Sequence, residues 1–490
     1  MKNIFVATIG TRDLMFQVSS GEWFNLGDDQ MREDIISEQS EVVSDLKLPD
    51  LTNHRDLTQY LLQFIDQYVN KIKPVILGQI FAENYDKLEK VYLIGTDQKE
   101  TVKERSKDTI YSAQLIEKWL QSNYPTIKTE VIPLGQEGEN PSDFEAMFCW
   151  WLKVWQTQIK PNSGQKLWVC LKGGVGQTSE ASRISGLNLY GEQIQFFEIN
   201  RTPKENRQGT PSGYTGPFLG TNYLWSGVQK QALALLKNHN YLAVQNLLIP
   251  YFKQTPQQWQ KAQQLLKGAI AWNQGCFDQF YQEVQSYLDQ SQRQQKAQYW
   301  WQAYEQAYLA VIRLEQNNTT EAMLHSFRAI EGLIYLWIKQ EFNDYLVRQN
   351  NEGEFLEIRS SVLKDYPDLK IYFDRYDKDK QNRIQIRGEM QSVLIKLLIQ
   401  EAKDDESFAS WNNKQTRDKR NHLSHHLGGI STEDLYKSWG QDITKQNEWQ
   451  KRILQCINLI TGERFLTFNN ASFFPCIHYA LKTEIKHYQV

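Results

Sequence analysis

The sequence predicts an α/β N-terminal half, a Rossmann-like parallel sheet with helices on both faces, followed by an all-α C-terminal half. Three observations predict it. Residues 1 to about 205 alternate short, β-branched apolar runs with amphipathic segments, and strand alternating with helix means a mostly parallel sheet. Residues 202–224 turn rich in Gly, Pro and Thr and hold no sustained period, which reads as a linker or long loop. From Trp225 onward the chain is Gln-rich with long helical periods, so the second half reads as helical.

In order, strands are expected at 3–9, 90–94, 129–133, 166–171 and 194–199. Helices are expected between them at 57–72, 82–90, 110–120, 144–159 and 179–189. The second half is expected to hold helices at 228–238, 242–252, 256–272, 277–288, 297–315 and 321–342, and to stay helical to about 460. The aromatic tail, 461–490, has no clear period. No fixed-period repeat is visible, which argues against a solenoid. The expected domains are 1–205, the sheet domain; 206–300, a linker and helical connector; and 301–490, a helical domain.

At 490 residues the chain exceeds one ordinary core, so two or three domains are expected. A formal net charge of -3 rules out a globally basic nucleic-acid coat, so any polyanion site is a local patch. Aromatic residues are abundant, 12% of the chain, and most are expected in the core. Cys149, Cys170, Cys276, Cys456 and Cys476 are scattered without CxxC spacing, against a disulfide framework or a zinc finger. The start, MKNIFVATIG, runs into a strand without the features of a signal peptide. No window reaches the ~18 apolar residues of a membrane span. The expectation is a soluble, cytoplasmic protein.

The run Arg420-Asn421-His422-Leu423-Ser424-His425 places a guanidinium, an amide and imidazoles in one short polar segment. A guanidinium stays charged and forks onto phosphate oxygens, while histidine gives and takes protons near neutrality. That is a minimal kit for cutting RNA without a metal, because the substrate carries its own nucleophile, the 2′-hydroxyl. Two registers compete, since Arg417 and Arg420 each precede a histidine, His422 and His425, by five residues. Five residues turn a helix by ~500°, so Arg420 must reach round or the segment must begin irregularly. Asn421 and His425 are i,i+4 and share a face. Arg420, Asn421 and His425 are the preferred catalytic set, with Arg417 and His422 supporting, and Gly428-Gly429 offers a break just beyond. The plain alternative is a solvated helix face. Requiring Asn after Arg lowers chance occurrence of the pattern to roughly a few per cent per chain.

A second feature concerns Glu331. Leu324, Phe327, Glu331, Ile334 and Ile338 follow 3,4,3,4 spacing, which sets a carboxylate in an apolar stripe. Burying it unpaired costs several kcal/mol. Arg420 or Arg417 is one candidate partner, which would fix the guanidinium's direction. Local pairing with Arg328, at the stripe's edge, is the other.

Three strand ends run into Gly and small polar residues: Ile9-Gly10-Thr11-Arg12-Asp13, Ile94-Gly95-Thr96-Asp97, and Leu171-Lys172-Gly173-Gly174-Val175-Gly176-Gln177-Thr178. In open parallel sheets ligands sit beyond the carboxyl ends of the strands. Glycine lets backbone approach phosphate, and the following helix N-terminus favours anions. The third loop is neither GxxxxGK(S/T) nor GxGxxG. One such turn is ordinary; three on one sheet edge point to a phosphate-bearing ligand. The candidate ligand-binding residues are Thr8, Gly10, Thr11, Arg12, Gly95, Thr96, Lys172, Gly173, Gly174, Gly176 and Gln177.

These features resemble the CARF–HEPN ribonucleases of type III CRISPR systems, which join a CRISPR-associated Rossmann-fold sensor to a HEPN helical nuclease domain. Arg420-Asn421 with His425 fits the HEPN motif, and His325-Ser326-Phe327-Arg328-Ala329-Ile330-Glu331-Gly332-Leu333 is similar to the first HEPN helix. The Thr11 and Lys172-Gly173-Gly174 loops resemble those that hold a cyclic oligoadenylate at a dimer two-fold. The resemblance covers about residues 1–200 and 300–460. It implies a homodimer with a composite site cutting single-stranded RNA to a 2′,3′-cyclic phosphate. It also implies activation by a cyclic oligoadenylate made by the type III CRISPR effector complex, cyclic tetra-adenylate being the commoner ring. No cofactor and no metal are implied, nor stable DNA binding, and Thr8, Thr11 and Lys172 are placed for slow cleavage of the activator itself. Two rivals stay open. One is a non-catalytic nucleotide-sensing protein with a helical interaction domain. The other is an effector acting on DNA, for which no strand-borne Asp…Glu-x-Lys pattern is visible.

Overall fold

The computed structural model describes residues 2–27, 37–200, 209–347, 356–373, 382–386 and 388–489. The chain divides into two compact units, Met1–Gly227 and Val228–Gln489.

Among the described residues the first unit carries nine strands: β1 (Asn3–Thr8), β2 (Leu14–Gln17), β3 (Trp23–Asn25), β4 (Ile72–Pro74), β5 (Leu88–Thr96), β6 (Lys128–Leu134), β7 (Leu167–Cys170), β8 (Ile194–Asn200) and β9 (Gly213–Leu219). Six form one sheet in the order β6-β5-β1-β7-β8-β9. All neighbours are parallel except β8 with β9. Numbered as they appear along the chain, that order is 3-2-1-4-5-6, the doubly wound arrangement, and the winding reverses between β1 and β7. The helices α1 (His54–Gln63), α2 (Ile110–Asn123), α3 (Phe144–Thr157) and α4 (Gly176–Tyr190) lie among these strands in sequence. Strand β1 shows why both faces are covered. Phe5 and Ala7 enter a core with Leu93, Ile116 and Leu120. Ile4 and Val6 enter a second core with Met147, Trp151 and Trp155. The alternation is the period of two that a strand imposes.

All five expected strands are present, within a residue or two of their expected ends. Two expected helices overrun. The 57–72 stretch is helical from His54 to Gln63 and again over Ile65–Tyr68, a 3₁₀ turn follows at Val69–Lys71, and Ile72 already belongs to β4. The 82–90 stretch is helical only through Gly78–Asn84, because Leu88 begins β5 and is buried in the sheet core. The antiparallel sheet β3-β2-β4 was not expected; strands of three or four residues are too short to show a period. The expected linker is corrected in part. Residues up to 208 lie outside the described residues, but Gly213–Leu219 is the antiparallel edge strand β9 and Gly220–Lys237 is a helix, α5. Gly216-Pro217 hid that strand, and an edge strand with one neighbour tolerates proline.

The second unit is mainly helical. After Tyr241–Gln254, Gln260–Asn273 and Phe277–Val284 come α6 (Trp301–Glu315), α7 (Thr319–Glu341), α8 (Lys414–His425), α9 (Thr432–Lys437), α10 (Gln446–Thr461) and α11 (Phe474–His487). The aromatic tail thus contains a helix. The expectation that the chain stays helical from 342 to about 460 is corrected among the described residues: β10 (Leu356–Arg359) and β11 (Arg383–Ile386) pair antiparallel. Leu356, Ile358, Ile384 and Ile386 are buried in alternation, a period-two pattern carried by only four residues per strand. Much of the aromatic surplus is core. Trp259, Trp272, Trp301, Trp439 and Trp449 are fully buried, and Trp272 stacks on Phe474 with ring centroids 3.6 Å apart. Among the described residues no helix is long and apolar enough to cross a membrane.

Candidate active site and ligand crevice

Helix α8 begins at Asn413, whose side chain accepts from Gln415 N at 2.9 Å, and ends at His425. Its buried residue, Thr416, donates to Ser438 O at 3.1 Å. The adjoining Trp439 packs on Phe327 and donates to Ser326 on α7 at 3.2 Å. Helix α7 starts under an Asn318 cap on Glu321 N at 3.1 Å. These ties fix α8 against α7, and the whole Arg-to-His run is regular helix.

On that scaffold Arg420 forms an ion pair with Glu331 of α7. Its Nε and Nη2 also donate to Asn421 Oδ1, at 3.3 and 2.8 Å. The Arg420 side chain is 19% exposed, and two neighbours hold its guanidinium. Burial draws its pKa down from the ordinary value, yet a guanidinium remains cationic at neutral pH. Phe327, Ile334 and Ile338 are buried as expected, whereas Glu331 lies half-buried at the stripe's edge and Leu324 is half-buried too. The partner of Glu331 is Arg420, and Arg328 is exposed. Arg417 is half-buried, and Asn421, His422 and His425 are exposed. His422 stacks on His426, centroids 4.6 Å apart at 17°. Because five residues turn ~500°, Arg420 and His425 leave α8 on different sides, and Asn421 stands between them.

In the first unit the loops after β1 and β7 meet at the point where the winding reverses. Thr8, buried at the end of β1, donates its hydroxyl to Gly173 O. Gly10 N donates to Asp13 Oδ2 at 2.8 Å. A Cβ on Gly173 would overlap Thr8 O, Asp13 Oδ2 and Gly10 N, and one on Gly10 would crowd Gly174 N. Glycine is therefore required at 173 by the approach of one loop to the other. Lys172, Gly174, Gly176 and Gln177 are exposed, and Thr11 and Arg12 half-buried. Arg12 lies 3.7 Å from Glu38. Helix α4 starts after Val175 without a side-chain cap, leaving its first N–H groups for solvent or an anion.

Gly95 and Thr96 do different work. A Cβ on Gly95 would strike Ile110 Cα, so this glycine admits α2 against the sheet. Thr96 and Thr109 exchange hydrogen bonds of 3.0 and 3.1 Å between backbone N–H and hydroxyl. Below them Arg55 bridges Asp97 at 2.7 Å and Asp108 at 3.2 Å. A cavity of about 600 Å³ is lined by Thr96, Gln98, Lys107, Asp108, Asn140 and Val175, among others. Sequence reasoning passed over Asp13, Thr109 and the Arg55–Asp97–Asp108 brace. A signal for Asp13 was present: an Asp three residues after a turn glycine readily caps it.

No protein-family model matches the sequence, and no curated protein matches it. Among solved structures, the chain is similar to Enterococcus italicus Csm6 bound to cyclic hexa-2′-fluoro-hexa-dAMP, with 12% sequence identity and a TM-score of 0.61. The match covers 99% of this chain and 100% of that one. At that identity the likeness is one of fold. From end to end the chain has the fold of that structure.

Proposed function

We propose that the protein is a metal-independent endoribonuclease of type III CRISPR antiviral defence, activated by a cyclic oligoadenylate and acting as a homodimer on single-stranded RNA. The observation that carries this reading is Arg420, held by Glu331 of α7 and by Asn421, on the same helix as an exposed His425. A permanent cation is held in direction by a carboxylate, and a titratable group faces solvent nearby.

The activator binds at the crevice between β1 and β7. There Thr11, Lys172, Gly174, Gly176 and Gln177 offer backbone N–H groups, one ammonium and the α4 N-terminus to phosphates, while Gly10, whose N–H is held by Asp13, and Gly173 let the two loops approach. Two N-terminal domains share one ring, and their reorientation passes through the helical connector to bring two α8 helices together. Arg420 offsets charge growing on the scissile phosphate, and Asn421 orients the substrate. His425 assists proton transfer as the 2′-hydroxyl oxygen bonds to phosphorus and the 5′-oxygen departs, leaving a 2′,3′-cyclic phosphate. Cyclic tetra-adenylate is the commoner ring among the proteins the chain resembles, whereas the Csm6 structure holds a ring of six nucleotides, so both rings belong in the assay.

Arg420→Ala and His425→Ala should each lower RNA cleavage by about 10²–10⁴-fold while binding labelled cyclic tetra- or hexa-adenylate as the wild type does. Normal cutting by both variants would refute the assignment. Slow cleavage of the bound ring, with Thr11 and Lys172 at the crevice rim, is a second activity of this reading. Long incubation of the Arg420→Ala protein should then accumulate linear oligoadenylate, and its absence would count against that activity.

A further inference from the structure

Helix α8 has a second working face. Gln415, Asp418, Lys419, His422 and Leu423 line a cavity of about 580 Å³, closed on the other side by Gly429, Ile430 and Asp434. Their spacing of i, i+3, i+4, i+7 and i+8 is one stripe of a helix. Arg417, Arg420 and Ser424 lie on the opposite side at ~100° per residue. His425 falls between the two faces, flanked by Asn421 on one side and Asp418 on the other. A chain lying across Asn421 and His425 therefore meets the cavity next.

We propose that this cavity receives the guanine base of a nucleotide adjoining the scissile linkage, and so makes cleavage guanine-biased. The inference rests on the reading of α8 as the RNA-cutting helix. Three features of the cavity argue for guanine. The exposed Asp418 carboxylate has two acceptor oxygens, and guanine alone offers two adjacent donors, N1–H and N2–H2, on one edge. Beside it Lys419, 3.4 Å from Asp434 Oδ1, has further N–H groups for the O6 acceptor on that same edge. Asp434 is occupied by Ser431, whose hydroxyl donates to it at 2.8 Å, so Lys419 stays tethered at the cavity wall. His422, which lines the cavity and stacks on His426, is a flat ring of the kind on which bases stack, and half-buried Leu423 and Ile430 supply apolar wall. The volume holds a purine with its ribose.

The test is to cleave a random-sequence RNA pool with the full-length, activator-bound protein and to read the bases on both sides of every cut. Guanosine should be enriched about tenfold at one flanking position. Asp418→Asn, an exposed substitution that turns one acceptor into a donor, should erase the enrichment. Replacing that guanosine by inosine, which lacks the N2 amine, should slow the wild type several-fold and leave Asp418→Asn unaffected. Cutting without base bias, or a guanine bias that survives in Asp418→Asn, overturns the base pocket and leaves the ribonuclease reading intact. Failure of the wild type to cut any RNA overturns the ribonuclease reading and the pocket with it.

Discussion

In the proposed mechanism Arg420 is the residue on which the chemistry turns, and its ion pair with Glu331 sets where it points. A free arginine side chain loses rotamer entropy whenever it grips a phosphate, whereas one already paired to Glu331 and Asn421 has lost most of it on folding. Glu331→Ala should therefore lower cleavage by about 10²-fold, the cost of a small misplacement, while leaving activator binding unchanged. Equal rates for Glu331→Ala and wild type would make the pair merely structural. Arg420→Lys should not restore activity to Arg420→Ala, because an ammonium cannot fork onto Asn421 and phosphate together; single-turnover rates of the three proteins check this. The Arg-Asn-His run was legible because its chemistry is written in adjacent letters. The choice among Arg420, Arg417 and Arg328 as the partner of Glu331 was not, because it depends on how α7 and α8 pack. Asp418 and Lys419 were hidden for the same reason, since a polar run does not say which of its faces borders a cavity.

At the scale of elements, the ligand crevice depends on two loops that touch where the sheet reverses its winding. Gly173→Ala forces a methyl group against Thr8 O, Asp13 Oδ2 and Gly10 N. It should cost about 1–3 kcal/mol of stability and weaken binding of cyclic oligoadenylate. Thermal unfolding and equilibrium binding of the variant would show this, and wild-type values in both would contradict the account. The parallel strands were readable from sequence because each is a largely apolar run bounded by turns, as at Val91–Ile94 and Leu167–Cys170. The strands β2, β3, β4, β10 and β11 were not, being three or four residues long and, unlike the equally short but wholly apolar β7, carrying polar residues or proline. Strand β9 was masked by Gly216 and Pro217, residues that read as loop wherever an edge position is not known in advance.

For the molecule as a whole, buried titratable groups set how stability follows pH. Burial lowers His325 and His478 to about 4 and lowers His54 as well, so these rings fold neutral. The unfolded chain binds the extra protons, so their contribution is complete above the unfolded value near 6.5 and is lost as pH falls toward 4. Glu305 runs the other way. It is fully buried, accepts from Trp272 at 2.7 Å, Ser472 at 2.6 Å and Phe473 N at 2.7 Å, and burial raises it to about 7. Its contribution is complete below the unfolded carboxylate value and is lost as pH rises through 7. The difference in Tm between Glu305→Gln and wild type should therefore shift in the variant's favour from pH 4.5 to 7 and then level off. A constant difference would show that the carboxylate does not titrate in that window.

The central claim, that two copies of α8 form a ring-triggered RNA blade needing no metal, is tested most directly in one assay. Single-stranded RNA is incubated with the purified protein in excess EDTA, with and without cyclic tetra- or hexa-adenylate, and the product ends are analysed. The account predicts cleavage that appears on adding one of the rings, persists in EDTA and leaves 2′,3′-cyclic phosphate ends. RNA left intact with either ring, or cutting abolished by the chelator, would contradict it.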